Sequence, residues 1–151
     1  MQIRKLQTSD TPQILKLVER LPQWFDRRAQ EIGIPLDLKH QAGFVALLDN
    51  ILVGFTTYYV AEGRLIIGWL GVAPEHHRKG IGKKLLEALN EIAKSFDIEE
   101  MATYTLGDQV DYPPYASTRE FYFRCGFKIY QRSQTDNPSC PEEIKIRRKI
   151  Y

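Results

Sequence analysis

Cysteine is scarce in this chain. Cys125 and Cys140 are the only two, no C-x-x-C spacing occurs, and a disulfide scaffold is therefore excluded. Long apolar runs are missing as well. No stretch approaches the length that spans a bilayer, and Met1-Gln2-Ile3-Arg4-Lys5 opens no signal-peptide core. The expectation is a cytoplasmic protein without a membrane partner. Charge of one sign is not in excess: the net charge is +2, too small for bulk nucleic-acid binding. No repeat, linker or low-complexity segment is visible. What is present is 151 residues, 43% apolar and 26% charged, which suits one ordinary domain with a normal core.

Two named phosphate loops are absent too. Gly82-Lys83 could end a Walker A loop, but Lys84 follows where a hydroxyl is needed, and His77 stands where its first glycine belongs. Gly80 and Gly82 fit the start of a dinucleotide G-x-G-x-x-G, but Leu85 takes its third position. The stretch His77-Arg78-Lys79-Gly80-Ile81-Gly82-Lys83-Lys84 is nonetheless the most informative in the chain. It comes after an apolar run over residues 65–73 and opens an amphipathic segment. A basic, glycine-rich loop between a strand and a helix start is a cradle for an anion: free N–H groups and the helix dipole attract it. The simplest ligand is a pyrophosphate. A solvated basic turn is the competing reading of the loop taken alone.

Periodicity gives the element order. Residues 2–7 read as a strand. A helix runs from Ser9 or Asp10 to about Arg20, and a second short one covers 23–32, ended by Gly33 and Pro35. Residues 43–48, 51–60 and 65–73 form a three-strand meander with turns at Asp49-Asn50 and Glu62-Gly63-Arg64. A helix over about 80–96 carries the stripe Ile81, Leu85, Leu86, Leu89, Ile92, Ala93. Then come a strand at 101–106, a polar loop at 107–114, a helix at about 116–124, and strands at 127–131 and 144–150. The order β-α-α-β-β-β-α-β-α-β-β predicts an α/β layer fold.

The loop, written as a polar residue, two more residues and G-x-G, resembles the central Q/R-x-x-G-x-G/A motif of the GNAT superfamily of acyl-CoA-dependent N-acetyltransferases. His77 replaces the usual first residue, while Arg78 and Lys79 keep the charge. Further on, Phe121-Tyr122-Phe123-Arg124-Cys125-Gly126-Phe127 is similar to that family's F-Y-x-x-x-G-F signature. The resemblance covers roughly residues 43–131. It implies a mixed, mostly antiparallel twisted sheet of about seven strands with helices on both faces. It also implies acetyl-CoA as co-substrate and direct acetyl transfer to an amine of a small molecule or a peptide. On this reading the loop from His77 through Lys84 grips the CoA pyrophosphate, with Arg78, Lys79, Gly80, Ile81, Gly82 and Lys83 between. Leu70, Gly71 and Val72 form the cofactor strand: Leu70 and Val72 pair with pantetheine, and an N–H near Val72 faces the thioester oxygen.

The same resemblance makes Tyr122 the general acid, since a phenol in reach can protonate a departing thiolate. Packing among Phe121, Phe123 and Phe127 is the alternative. No carboxylate lies on the strand before the loop, where the family often has its base. Glu62, Asp108 and Asp111 are substitutes, or the neutral fraction of the amine reacts unaided. Asp108, Asp111 and Tyr115 could hold a cationic acceptor by charge and ring face; a solvated loop stiffened by Pro113 and Pro114 is the other reading. Thr118 and Arg119 could approach the cofactor, or Arg119 could sit on a solvated face. His76 and His77 lack a third ligand at metal spacing, so no metal is expected. Cys125 is expected to pack as a thiol. The runner-up function is a module that binds acyl-CoA without chemistry, and a homodimer is left open.

Overall fold

The computed structural model describes residues 1–151. The chain order is β1 (Gln2–Lys5), α1 (Thr11–Glu19), α2, β2 (Ala42–Leu48), β3 (Ile51–Ala61), β4 (Arg64–Val72), α3 (Ile81–Ser95), β5 (Glu100–Leu106), α4 (Pro114–Arg124), β6 (Lys128–Gln134) and β7 (Glu142–Lys149). Here α2 denotes a π-wound turn, Ala29–Gly33, that continues into the α-helical turn Ile34–Asp37. The strands make one seven-stranded sheet in the order β1-β2-β3-β4-β5-β7-β6. Every neighbouring pair is antiparallel except β4 and β5, which α3 joins as a parallel crossover. No helix is long and apolar enough to cross a membrane.

The hairpins arise from local chemistry. Asp49 and Asn50 both have positive φ (51° and 63°), as do Glu62 and Gly63 (55° and 73°). Consecutive left-handed residues make the turn that matches strand twist, and Asn, Asp and Gly tolerate it best. Asp97 and Gly126 reverse the chain the same way after α3 and α4.

Helices cover both faces. A Cβ on Gly54 would lie 3.2 Å from Ile81 and 3.4 Å from Leu85, so α3 presses directly on the β3 backbone. On the other face a Cβ on Gly71 would meet Phe55 at 2.9 Å and Phe25 at 3.3 Å. Ile14 and Val18 of α1 join Phe55 in one core; Leu89 of α3 joins Met101 and Ile144 in a second. Phe55 has no solvent exposure. Phe55→Ala is expected to cost about 3–5 kcal/mol of unfolding free energy, since the ring's burial is lost and a cavity remains. Urea denaturation monitored by circular dichroism measures it.

Two boundaries differ from the sequence reading. Gly33 and Pro35 do not end the second helix. Gly33 has helical φ (−63°), and Pro35 sits in the first turn of the α-helical part, where no backbone donor is needed. Residues 21–26 are instead turns, and helical winding runs from about residue 27 to 37. The last strands are also longer than expected, because Ser133 and Gln134 pair with Glu143 and Glu142.

Candidate active site

The parallel pair β4–β5 is where the sheet opens. The strands match only at Leu65↔Met101 and Ile66↔Ala102, and Thr103 Oγ1 then donates to Ile67 O at 3.2 Å. Beyond that point β4 runs on to Val72 and β5 to Leu106 without pairing. A bulge explains the parting. The β3–β4 register jumps between Thr56 and Tyr58, so that Gly68 and Trp69 together oppose Thr57. Trp69 N donates to Thr57 Oγ1 at 3.0 Å, and Thr56 Oγ1 donates to Trp69 O at 2.8 Å. Gly68 is required there: a Cβ would fall 2.2 Å from Gln41 Oε1. The Trp69 indole donates to Asp37 at 2.8 Å, tying the bulge to α2. A bulged strand bends and twists away from its neighbour.

The bulge also sets which amides face the gap. Trp69 uses both its backbone groups on β3, and Ala73 N donates to Val53 O at 2.8 Å, again toward β3. Backbone direction alternates along a strand, so Leu70 and Val72 point into the opening and Gly71 does not. His77 Nε2 donates to Val72 O at 2.7 Å. Its ring is thus folded back on the strand end, packed edge-on to Trp24 at 5.5 Å, and is spent on the strand carbonyl rather than reaching toward an anion.

The loop is a nest of free donors. Arg78 (φ 62°) and Gly80 (φ 82°) are left-handed, and Gly80 caps α3 with no side-chain partner. Lys84 N bonds to Gly80 O at 3.1 Å, but no N–H from Arg78 through Lys83 has a backbone acceptor. Such a concave run of amides at a helix start binds anions. Arg78 and Lys83 line the adjoining cleft, whereas the Lys79 and Lys84 side chains do not. Lys84, expected to grip the anion, has its amide used inside the helix and does not line the cleft. Gly82 has a reason of its own. A Cβ there would lie 3.1 Å from the Phe121 ring, so its absence lets α4 close on α3.

The cleft, about 1760 Å³, runs from this nest through the β4–β5 gap. Tyr122 lines it at 6% exposure, held edge-on by Phe121 and Phe127, each at 5.2 Å. Its hydroxyl bonds to nothing in the chain. Burial, with smaller contributions from Cys125 and Tyr115, raises its pKa far above the ordinary phenol value, so the group stays protonated. Burial likewise keeps Cys125 a thiol.

The expected acceptor residues separate. Asp108, expected at the acceptor, pairs with Arg132 at 2.8 Å and does not line the cleft. The Arg132 guanidinium holds its carboxyl below the usual range. Asp111 lines the cleft, exposed and without an ion pair. Tyr115 lines it too, but its hydroxyl donates to Trp24 O at 2.7 Å, and burial pushes its pKa up to about 12. Only its ring remains to meet a ligand. Arg119 is neither solvated nor at the loop: it donates to Leu106 O at 2.9 Å and braces α4 on the end of β5, while Thr118 lines the cleft. Glu62 sits in a hairpin turn beside Arg64, away from the site.

A strap across the cleft was not foreseen from the sequence. Trp24 Nε1 donates to Pro114 O at 3.0 Å, Tyr112 OH donates to Gln23 O at 2.7 Å, and Ser139 Oγ donates to Asp26 Oδ2. With the Tyr115 bond, these join residues 22–26 to two distant loops. The only signal for it was the aromatic density of both segments.

A family model described as an acetyltransferase (GNAT) domain matches residues 39–129. No curated protein matches the sequence. Among solved structures, a GNAT-family protein from Desulfovibrio desulfuricans superposes with TM-score 0.83 at 22% identity, covering 99% of both chains. The ribosomal-protein-S18-alanine N-acetyltransferase from Escherichia coli superposes with TM-score 0.77 at 16% identity, over 99% of this chain and 93% of that one. An aminoglycoside 6'-N-acetyltransferase complexed with coenzyme A gives TM-score 0.75 at 18% identity, over 100% and 98%. These likenesses agree with the fold, and the family match spans more than half the sequence: the chain belongs to the GNAT acetyltransferases, enzymes whose co-substrate is acetyl-CoA.

Proposed function

We propose that this chain transfers the acetyl group of acetyl-CoA directly to an amine, without an acyl-enzyme. One observation carries the reading: the edge of β4 at Leu70 and Val72, unpaired with β5 and with only the Val72 carbonyl taken by His77, leads from the amide nest at Arg78–Lys83 to the gap that Tyr122 lines. The nest and the positive groups of Arg78 and Lys83 fit a pyrophosphate. The free edge of β4 fits an amide-bearing arm that pairs as a strand would. Two structural neighbours are named as N-acetyltransferases, which supports an amine as acceptor.

Each chemical demand then has a group. Positioning along the nest and strand edge converts the meeting of thioester and amine into an intramolecular event. The amine nitrogen attacks the carbonyl carbon, and the Val72 N–H stabilises the oxygen as its charge develops. When the C–S bond breaks, the sulfur takes the pair and Tyr122 supplies the proton. The acceptor nitrogen's proton leaves by way of water, with Asp111 as the unpaired acid of the cleft, and a proton from that water returns to the Tyr122 phenolate, which burial disfavours. Asp26 is a weaker base, because hydrogen bonds from Ser139 and the Ala29 amide hold its pKa low. Incubation of amine panels with acetyl-CoA, read by mass spectrometry, is expected to show products heavier by one acetyl group. Binding of acetyl-CoA with no transfer to any amine would leave only the binding half of the proposal.

A further inference from the structure

The sheet face on the α2 side of β5, β7 and β6 has no part in the chemistry above. Helices α3 and α4 pack on the opposite side, against Ile144 and Ile146. On the open side Tyr104 stands opposite Lys145, Ala102 opposite Arg147, and Glu100 opposite Lys149. Lys128 stands opposite Arg147, and Gln131 opposite Lys145, in the next pair. Tyr104 is 55% exposed, a large aromatic that nothing covers, and it also lines the cleft. The face is therefore continuous with the acceptor mouth.

Its charge is graded. At the cleft end lie Asp111 and, opposite Leu106, Glu143. Further along β7 come Lys145, Arg147 and Lys149, with Lys128 beside them. Glu100 answers only the arginines: it bonds Arg64 at 2.9 Å and lies 3.7 Å from Arg147. Lys128, Lys145 and Lys149 have no acidic partner. Tyr130 lies under the guanidiniums of Arg147 at 4.7 Å and Arg64 at 5.3 Å, which fixes the arginines in place. From Glu143 to Lys149 the strand advances about 20 Å at roughly 3.4 Å per residue. That is the reach of an extended peptide of about six residues, with successive same-face side chains meeting Lys145, Arg147 and Lys149.

We propose that the acceptor is a polypeptide amino terminus whose next residues are acidic. Its amine enters the cleft past Tyr104, and acidic side chains from about the third position onward lie on Lys145, Lys149 and Lys128. This proposal rests on amine acetylation at the same site and adds the substrate class. The acidic mouth attracts the terminal ammonium, and the basic strand attracts the carboxylates downstream of it. A chain of uniform charge would satisfy only one end. Rim charges of this kind act mainly on capture of the substrate and weaken with salt.

The test uses the whole protein, acetyl-CoA and three lysine-free peptides. They share their first two residues and carry acidic, neutral or basic residues at the next five positions. The acidic peptide is expected to exceed the basic one in kcat/KM by about tenfold or more, carried by KM and shrinking as salt rises. Lys145→Glu with Lys149→Glu is expected to reverse that order. Equal kcat/KM for the three peptides overturns the proposal, as does transfer to small amines with none to any peptide. In either case amine acetylation stands. Absence of acetyl-CoA binding in calorimetry removes both. A dimer in ultracentrifugation that the double variant dissociates assigns the face to a second copy. Displacement of the acidic peptide by a single-stranded oligonucleotide at lower concentration assigns it to nucleic acid. Either result also overturns the proposal.

Discussion

Gly80→Glu is expected to weaken acetyl-CoA binding by about a hundredfold or more, read by calorimetry. Two effects combine. Gly80 has φ 82°, and a residue with a Cβ held there costs roughly 1–2 kcal/mol. The second effect is larger. The N–H groups from Arg78 through Lys83 have no backbone acceptors, and α3 begins at Ile81, so the positive end of a helix dipole faces the same space. A carboxylate there occupies those donors and repels a diphosphate. Two like charges about 4 Å apart repel by about 4 kcal/mol at an effective dielectric near 20, before salt screening. Gly80→Ala separates the causes. Nothing lies within 4 Å of its added Cβ, so only the backbone strain is introduced. The alanine variant is expected to bind acetyl-CoA several times more weakly at most. Wild-type affinity in Gly80→Glu would place the pyrophosphate elsewhere.

That loop also shows how far local sequence carries. Gly80 and Gly82 look equivalent in the motif, and both read as room for a phosphate. In the fold they answer different demands: Gly80 supplies a left-handed turn, and Gly82 admits the Phe121 ring. The first is a property of the residue itself, so sequence can suggest it. The second depends on a helix some forty residues away. The hairpins at Asp49-Asn50 and Glu62-Gly63 were legible for the same local reason, as was the apolar stripe of α3.

The parting of β4 and β5 was not legible, though the family resemblance implied pantetheine pairing at Leu70 and Val72. Its cause is the opposition of Gly68 and Trp69 to Thr57, reinforced by Gln41 and by Asp37 of α2. No window of the sequence contains all of those residues. The placement of Asp108 was not legible for a like reason: its partner Arg132 lies on β6, beyond any local pattern. Asp111, three positions on, has no such partner and stayed in the cleft.

Tyr122→Phe is expected to lower kcat by about tenfold to a thousandfold while acetyl-CoA affinity barely changes. The ring is what packs: Phe121 and Phe127 meet it edge-on, and phenylalanine keeps those contacts. The hydroxyl bonds to no group of the chain, so its loss leaves no buried partner unsatisfied and the fold is expected to keep its neutral-pH stability. The raised pKa has two pH signatures. First, wild-type kcat should show no loss from phenol ionisation below about pH 10, because burial holds the proton on. Second, the folded phenol titrates above the unfolded one. Its contribution to stability is therefore complete below about pH 10 and is lost as pH rises from the unfolded value through the folded one, a loss the phenylalanine variant is spared. The chemical role has its own check. A thiolate of lower pKa departs without help, so an acetyl thioester of a more acidic thiol should narrow the gap between wild type and Tyr122→Phe. A gap that stays constant across leaving groups would leave Tyr122 as packing alone, and the proton for the departing sulfur would then come from solvent.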